Sequence, residues 1–458
     1  MEDMTLGKVV NAVSGQLLHA PRSRKISGVS IDSRQILPGQ LFVALRGERV
    51  DGQDYAGLAV SSGAGAVLCE RPLPNLPQVL VSDSRKALGD LAGAYRQQFP
   101  GLRLAAVTGS SGKTATKEML AVILGRRESI LESRGNNNND LGLPLTLLRL
   151  TSKLKLGVVE MGMNAPGEIR RLARLARPLV GIITNIGDAH LGRFRSKQAL
   201  VTAKLELLAE LPADGIAVLN ADDPHLAKAA RGRKHVITFG QSPQAHLRIG
   251  EVAVRLSGTH FILAYEGEKQ SVRLGVLGAH QAWNAAAAVA GAVALGQPFK
   301  TACRALEGFH QKTPMRLELL RVGQHRVLND AYNSNPQSAA KALELLAELP
   351  SPGRKFFVAG SMLELGAQSA PAHHALGRLA AQAGVQGLIT VGEEARGIAV
   401  GARQAGGMEW IAKVDSAEEV FAWLKLRLSV QGDLILIKGS RRIGLEAVVE
   451  EMKRWLRR

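Results

Sequence analysis

The sequence predicts an α/β protein of three domains, and three observations carry that expectation. Short apolar runs of strand length alternate with helix-length amphipathic stretches along most of the chain. A glycine-rich turn at 108–114 joins one such run to a helical pattern. The chain has 458 residues, enough for several separate cores. Glycine (49) and proline (18) are used at ordinary levels, which excludes collagen-like, low-complexity and wholly disordered chains.

The elements follow in order. Over residues 1–100, β-like runs at 26–31, 40–45, 66–69 and 78–81 are broken by turn signals and read as a small mixed α/β domain. Pro100 and Gly101 precede a buried-strand pattern at 102–107 and a helical one at 114–125, which opens a second domain, 101–312. Within it, strand patterns at 156–160, 180–185 and 215–220 alternate with helical ones at 167–176 and 196–211, the order expected of a largely parallel sheet covered by helices. The alternation repeats from Thr313, with strands at 326–329, 355–359, 387–391 and 433–438 and helices at 338–349 and 373–383. Residues 313–458 therefore read as a second nucleotide-type α/β domain.

A formal net charge of +18 favours anionic partners: nucleic acid, an anionic membrane surface, or small phosphorylated and carboxylated substrates. The positive residues are scattered and aromatics make up only 4%, so nucleic acid, which needs basic grooves with stacking platforms, is not an expected partner. Two cysteines, Cys69 and Cys303, without CxxC spacing, provide neither a disulfide framework nor a structural zinc site and fit a reducing cytosol. Glu2 and Asp3 at the start are unlike a secretory signal, and the alanine-rich run at 285–296 falls short of the roughly 18 apolar residues a span needs. A cytoplasmic protein without a transmembrane segment is expected.

The strongest local signal is Val107-Thr108-Gly109-Ser110-Ser111-Gly112-Lys113-Thr114. A strand ends, the chain turns on glycines and a helix begins, which gathers backbone N–H groups and a lysine around an anion. Gly109 and Gly112 allow close backbone approach, Lys113 can neutralise β and γ phosphates, and the Thr114 hydroxyl can ligate Mg²⁺. Val107 stands where the strict loop has its first glycine, so this is a shortened variant. Glu160 ends an apolar strand, where a carboxylate suits a metal or ligand as well as it suits solvent. His190 follows another apolar strand, and Asn136, Asn138, Asn139 and Asp140 form a polar run before Gly142 that by itself says only loop.

Together these pieces resemble the ATP-dependent Mur ligase family of peptidoglycan synthesis. The resemblance runs through Ser30-Ile31-Asp32-Ser33-Arg34 and Pro38-Gly39-Gln40-Leu41-Phe42, the 108–114 loop with Lys117-Glu118-Met119, and Arg134-Gly135-Asn136 with Asn138-Asn139. It continues through Glu160-Met161-Gly162, Thr184-Asn185 with Ala189-His190, and Ala203-Lys204. Asp330, Tyr332-Asn333-Ser334-Asn335-Pro336, Leu363-Glu364-Leu365-Gly366 and Lys438-Gly439-Ser440-Arg441 complete it. The resemblance implies a UDP-substrate-binding first domain, a P-loop ATPase-like central domain and a Rossmann-like third domain. It also implies an ATP-dependent amide ligase that adds D-alanyl-D-alanine to UDP-N-acetylmuramoyl-tripeptide through an acyl phosphate, giving the pentapeptide precursor of the cell wall. The Tyr-Asn-Ser-Asn-Pro stretch fits that branch, whereas the diamino-acid-adding branch would carry Asp-Asn-Pro-Arg here.

Residue by residue, the resemblance makes Gly109, Ser110, Ser111, Gly112, Lys113 and Thr114 the phosphate cradle, with Asn284, Arg316 and Asp330 as further ATP contacts. Lys113, Glu160, His190 and Lys204 become the catalytic group, and Thr114, Glu160, His190 and Lys204 the Mg²⁺ positions, Lys204 as a CO₂-derived carbamate. A bare ammonium beside Mg²⁺ is repelled, while a carbamate presents anionic oxygens; read alone, Lys204 is a helix-surface lysine. Ser33, Arg34, Asn138, Asn139, Asn333, Asn335, Lys438 and Arg441 become substrate contacts, in a monomer. Gln53, Ala115, Arg195, Gln281, Asn329 and Ser361 depart from the family pattern. Other ligases of the superfamily that add a diamino acid or glutamate, and a P-loop regulator without ligase activity, are the competing readings.

Overall fold

The computed structural model describes residues 1–2, 4–47, 50–125, 129–187, 194, 196–428 and 432–455. The chain divides into two compact units, one made of Met1–Thr108, Leu124–Ile182 and Ala203–Ala217, the other of Gly109–Ile123, Ile183–Thr202 and Val218–Arg458.

In the first unit a five-stranded sheet runs in the order Gln16–Leu18, Gln78–Leu80, Ala66–Cys69, Gln40–Val43, Gly28–Ser30. All its pairs are parallel except the first. Leu41, Phe42, Val43, Val67 and Leu68 are buried, as strands covered on both faces require. The single run expected at 26–31 is two strands: Lys25–Ile26 pairs antiparallel with Met4–Thr5, and Gly28–Ser30 joins the sheet. Ser27 makes the break, its N–H donating to Gly39 O (3.0 Å) and its hydroxyl to Pro38 O (3.1 Å). In the same unit Leu156–Glu160 lies parallel to Arg103–Thr108, in a register that sets Glu160 opposite Val107.

In the second unit a six-stranded sheet runs Glu318–Val322, His325–Asp330, Leu434–Lys438, Lys355–Gly360, Gly387–Val391, Trp410–Val414, parallel throughout except for the first strand. Successive residues serve opposite faces. Leu328 and Leu436 enter one core with Leu346, and Val327 and Ile435 enter the other with Val420. The register aligns Asp330 with Lys438 at the carboxyl ends of neighbouring strands.

The expectation of a largely parallel sheet for 101–312 omits a feature of this unit. Leu247–Arg255, Gly258–Tyr265 and Glu268–Leu274 form an antiparallel ladder. Leu247–Arg255 alternates buried with exposed positions along its first half, the mark of a sheet wet on one face. The turn after Tyr265 has two residues, Glu266 and Gly267, both left-handed, as the tightest hairpins require. The alanine-rich run lies in helix His280–Ala294, whose small side chains are buried nearly all along it. Among the described residues no helix is long and apolar enough to cross a membrane.

Candidate active site

The phosphate loop lies in the second unit at the start of helix Lys113–Gly125, and its shape depends on two glycines. Gly109 (φ 149°) and Gly112 (φ 78°) adopt conformations that side-chain-bearing residues rarely reach. A Cβ on Gly109 would overlap the Thr184 hydroxyl, and one on Gly112 the Asn284 amide oxygen. The loop is braced from the segment after Val180–Ile183. Ser110 N donates to Asn185 O (3.0 Å), Ser111 N to Asn185 Oδ1 (3.0 Å), and Thr184 Oγ1 to Ser111 O (2.6 Å). Thr184 and Asn185 thus act on the loop, a role the sequence reading did not assign them although their place at a strand's carboxyl end was visible. Lys113 Nζ donates to Gly109 O at 2.9 Å, and Thr114 is buried.

The loop opens onto a cleft of about 440 Å³ in the same unit. Ser110, Ser111, Gly112, Asn284, Arg316, Asp330, Asn333, Asn335 and Lys438 line it, so nine of the sequence-predicted residues converge there. Gln281, one of the departures from the family pattern, accepts a hydrogen bond from Asn284 Nδ2 (3.0 Å) and so orients the amide that packs on Gly112. Arg316 holds its guanidinium over the Tyr332 ring, 4.1 Å from the centroid, which limits its rotamers while leaving its charge available. Its Nε is buried without a hydrogen bond, as is Nε2 of Gln311, which also lines the cleft.

Asp330 and Lys438 form a buried pair, Nζ donating to Oδ2 at 2.5 Å and also to Asn333 O at 3.0 Å. Burial pushes the Asp330 carboxyl up against the pull of Lys438 and a hydrogen bond from Leu317 N. Lys438 therefore holds strand ends together at the cleft floor. Asn335 Oδ1 caps helix Pro336–Glu348 by accepting from Ser338 N, and Asn333 Oδ1 accepts from Ser334 N. His280 begins its helix at the cleft wall, and desolvation together with Lys341 and Lys438 pushes its imidazole down to about 4, so it is neutral at pH 7. Arg441 lies apart from the cleft lining, paired with Glu446 at 3.0 Å and touching Met315.

In the first unit Glu160 is buried, with Oε1 accepting from Asn138 Nδ2 (2.8 Å) and its N–H donating to Ser133 Oγ (3.2 Å). Asn139 Oδ1 accepts from the backbone N–H groups of Leu141 (3.2 Å) and Gly142 (2.9 Å), ahead of helix Gly142–Leu147. Lys204 is only 1% exposed, which corrects its reading as a helix-surface lysine. Its helix, Lys197–Ala209, exposes Gln198, Thr202 and Ala209 on one face, and Lys204 lies on the opposite face with buried Leu200, Val201, Leu207 and Leu208. Arg34 grips Asp32 with two contacts of 2.9 Å and is 82% exposed, while Ser33 beside it is buried. His190 lies outside the described residues.

Two departures from the family pattern are also explained. Gln53 Oε1 accepts from the backbone N–H groups of Glu70 and Arg71, and Ser361 Oγ accepts from Ala395 N against Gly392, where there is little room for a longer side chain. Among the described residues no three His, Cys, Asp or Glu side chains gather as a metal-binding cluster.

Residues 107–292 match the Mur ligase middle domain, 315–441 the Mur ligase glutamate ligase domain, and 25–96 the Mur ligase family catalytic domain. A Bacillus subtilis protein named UDP-N-acetylmuramoyl-tripeptide–D-alanyl-D-alanine ligase is 35% identical over 454 residues, 98% of each chain. The crystal structure of MurF from Acinetobacter baumannii superposes with a TM-score of 0.91 at 31% identity over 99% of each chain. That of MurF from Thermotoga maritima in complex with ADP gives 0.84 at 29% identity over 94% of this chain and 98% of that one. The three-domain α/β architecture is shared with these structures. The chain belongs to the Mur ligase family.

Proposed function

We propose that this chain is a cytoplasmic, monomeric ATP-dependent ligase that joins D-alanyl-D-alanine to the terminal carboxylate of UDP-N-acetylmuramoyl-tripeptide. The observation that carries the reading is the glycine-turned loop opening onto a cleft with Asn284, Arg316 and Asp330 on its walls, in a chain that matches ligases of that name end to end. The three domains are taken as 1–100, 101–312 and 313–458, binding respectively the UDP end, ATP and the amino acceptor.

A free carboxylate is a poor acyl donor to an amine, so its oxygen must first become a leaving group. In-line attack of the tripeptide carboxylate on the γ-phosphoryl group gives an acyl phosphate and ADP, while backbone N–H groups of the loop and Lys113 offset the gathering charge. Asn284, held by Gln281, and Arg316, held by Tyr332, orient the nucleotide. The amine of D-alanyl-D-alanine then adds to the acyl carbon and phosphate departs; Asn333 and Asn335 are the cleft residues assigned to that dipeptide. Ser33 and Arg34 in the first unit are assigned to the UDP substrate.

Magnesium would supply charge neutralisation at the phosphates. The donors fit a hard cation: Glu160 is a buried carboxylate at a strand end, Thr114 a buried hydroxyl, and His190 is assigned with them on the resemblance. Lys204, as a carbamate, would exchange a buried cation for anionic oxygens suited to the same ion. The deciding experiment is a coupled assay with UDP-muramoyl tripeptide, D-alanyl-D-alanine and ATP, with the product mass measured. Acceleration of phosphate release only by a diamino acid or glutamate would overturn the assignment.

A further inference from the structure

The phosphate-loop helix carries a buried carboxylate that the mechanism above does not use. Glu118 Oε2 accepts from Lys312 N at 2.8 Å and from Thr313 N at 3.4 Å, and its Oε1 accepts from the Thr313 hydroxyl. Lys117 Nζ lies 4.0 Å from Oε1 and is equally buried, which offsets the charge. Three donors from two consecutive residues thus converge on one side chain a little over a turn beyond Lys113. The segment held this way is flanked by Gln311 and Arg316, which both line the cleft and each carry a buried donor, Nε2 and Nε, without a hydrogen bond. Met315 (φ 61°) and Leu317 (φ 51°) on either side of Arg316 are left-handed, a conformation that a branched or long side chain holds only when its surroundings impose it. Apolar contact could pin a surface segment without burying an ion; a buried carboxylate with several donors fixes one register.

We propose that Glu118 is a positioning residue: it straps 311–317 to the phosphate-loop helix, so that Gln311 Nε2 and Arg316 Nε are presented as donors to the nucleotide that fills the cleft. The proposal rests on the nucleotide reading of the cleft and adds Gln311 to its contacts. The strap couples the loop that grips the phosphates to the segment that reaches over them, because both ends belong to one hydrogen-bonded unit.

The test uses full-length protein with Thr313→Ser, Thr313→Val, Glu118→Gln, the Thr313→Val/Glu118→Gln double variant and Gln311→Leu. Removing the hydroxyl or the charge should lower kcat/KM for ATP by about tenfold or more and speed amide hydrogen exchange in 311–317, leaving KM for the tripeptide nucleotide unchanged. Thr313→Ser, which keeps the hydroxyl, should behave as wild type, and the double variant should be no worse than the poorer single. Gln311→Leu should raise KM for ATP without altering exchange or melting temperature. Variants that melt earlier while kcat/KM for ATP stays within about twofold would overturn the strap, and an unchanged KM in Gln311→Leu would remove Gln311. Wild-type protein that consumes no ATP with both peptides would sink the ligase reading instead. In that case the strap is judged on exchange alone, and unchanged exchange of 311–317 in Thr313→Val and Glu118→Gln overturns it.

Discussion

Lys113 rests its amine on the carbonyl of Gly109, a neutral acceptor in its own loop. A phosphate entering the cradle would give the lysine a charge-assisted contact, roughly twice as strong as that neutral one. Lys113→Ala should lower kcat by about 10²- to 10³-fold, the loss typical of removing a donor aimed at developing charge. Near-normal turnover in steady-state assays would remove the phosphate-loop argument. Lys438, also expected to meet an anion, has Asp330 and Asn333 O as partners. Both lysines sit in short motifs that the sequence displays, but the carboxylate that pairs with Lys438 stands 108 residues away from it. Lys204 carries the same lesson. Its identity and the Ala-Lys pair were legible, whereas its burial was not, because a lysine is ordinarily solvated and this one sits among the apolar residues of its helix, opposite exposed Gln198 and Thr202.

At the scale of elements, local signals served well where one stretch of chain settles its own conformation. The helix expected at 338–349 is Pro336–Glu348, with Asn335 as the cap, Pro336 in the first turn and a reciprocal bond from Asn335 N to the Ser338 hydroxyl. Asn335→Ala should cost about 1 kcal/mol of stability in chemical denaturation, the usual value of a lost cap. If Asn335 also meets the dipeptide, KM for D-alanyl-D-alanine should rise in the same variant. A substitution that leaves both the denaturation midpoint and that KM unchanged would refute the two roles together. The antiparallel ladder at 247–274 shows where local reading fell short. Leu247–Arg255 and Glu268–Leu274 mix charged with apolar positions and so lack the continuous apolar run that marks a buried parallel strand, while the middle strand has such a run, 261–265, and only the pairing shows that it is antiparallel.

For the molecule as a whole, stability against pH is set by groups that folding removes from water. His280, His325 and His373 are all pushed below the ordinary imidazole range by burial, His280 to about 4 with Lys341 and Lys438 adding to the effect. The unfolded chain then binds protons that the folded chain does not. The stability these groups contribute is present above the unfolded value near 6.5 and is lost as pH falls, down to about 4 for His280. Asp330, pushed up by burial, works in the opposite sense, so the sharper measurement is a difference. The melting temperature of His280→Gln relative to wild type should rise as the buffer moves from pH 7 to pH 5. A constant difference across that range would show that His280 is not held neutral by the fold.

What the sequence by itself determined was the order of strands and helices over most of the chain, the anion-binding turn and the set of short motifs that place the chain in its family. Each is written in residues close together, through side-chain period, glycine and proline punctuation, and capping. Only the tertiary structure decided that Thr184 and Asn185 brace the phosphate loop, that Gln281 steadies Asn284, that Tyr332 lies under Arg316, and that Glu118 holds the segment at 312–313. The partner of a hydrogen bond or of a buried charge can lie anywhere along the chain, and nothing local in a sequence says which distant donor will arrive.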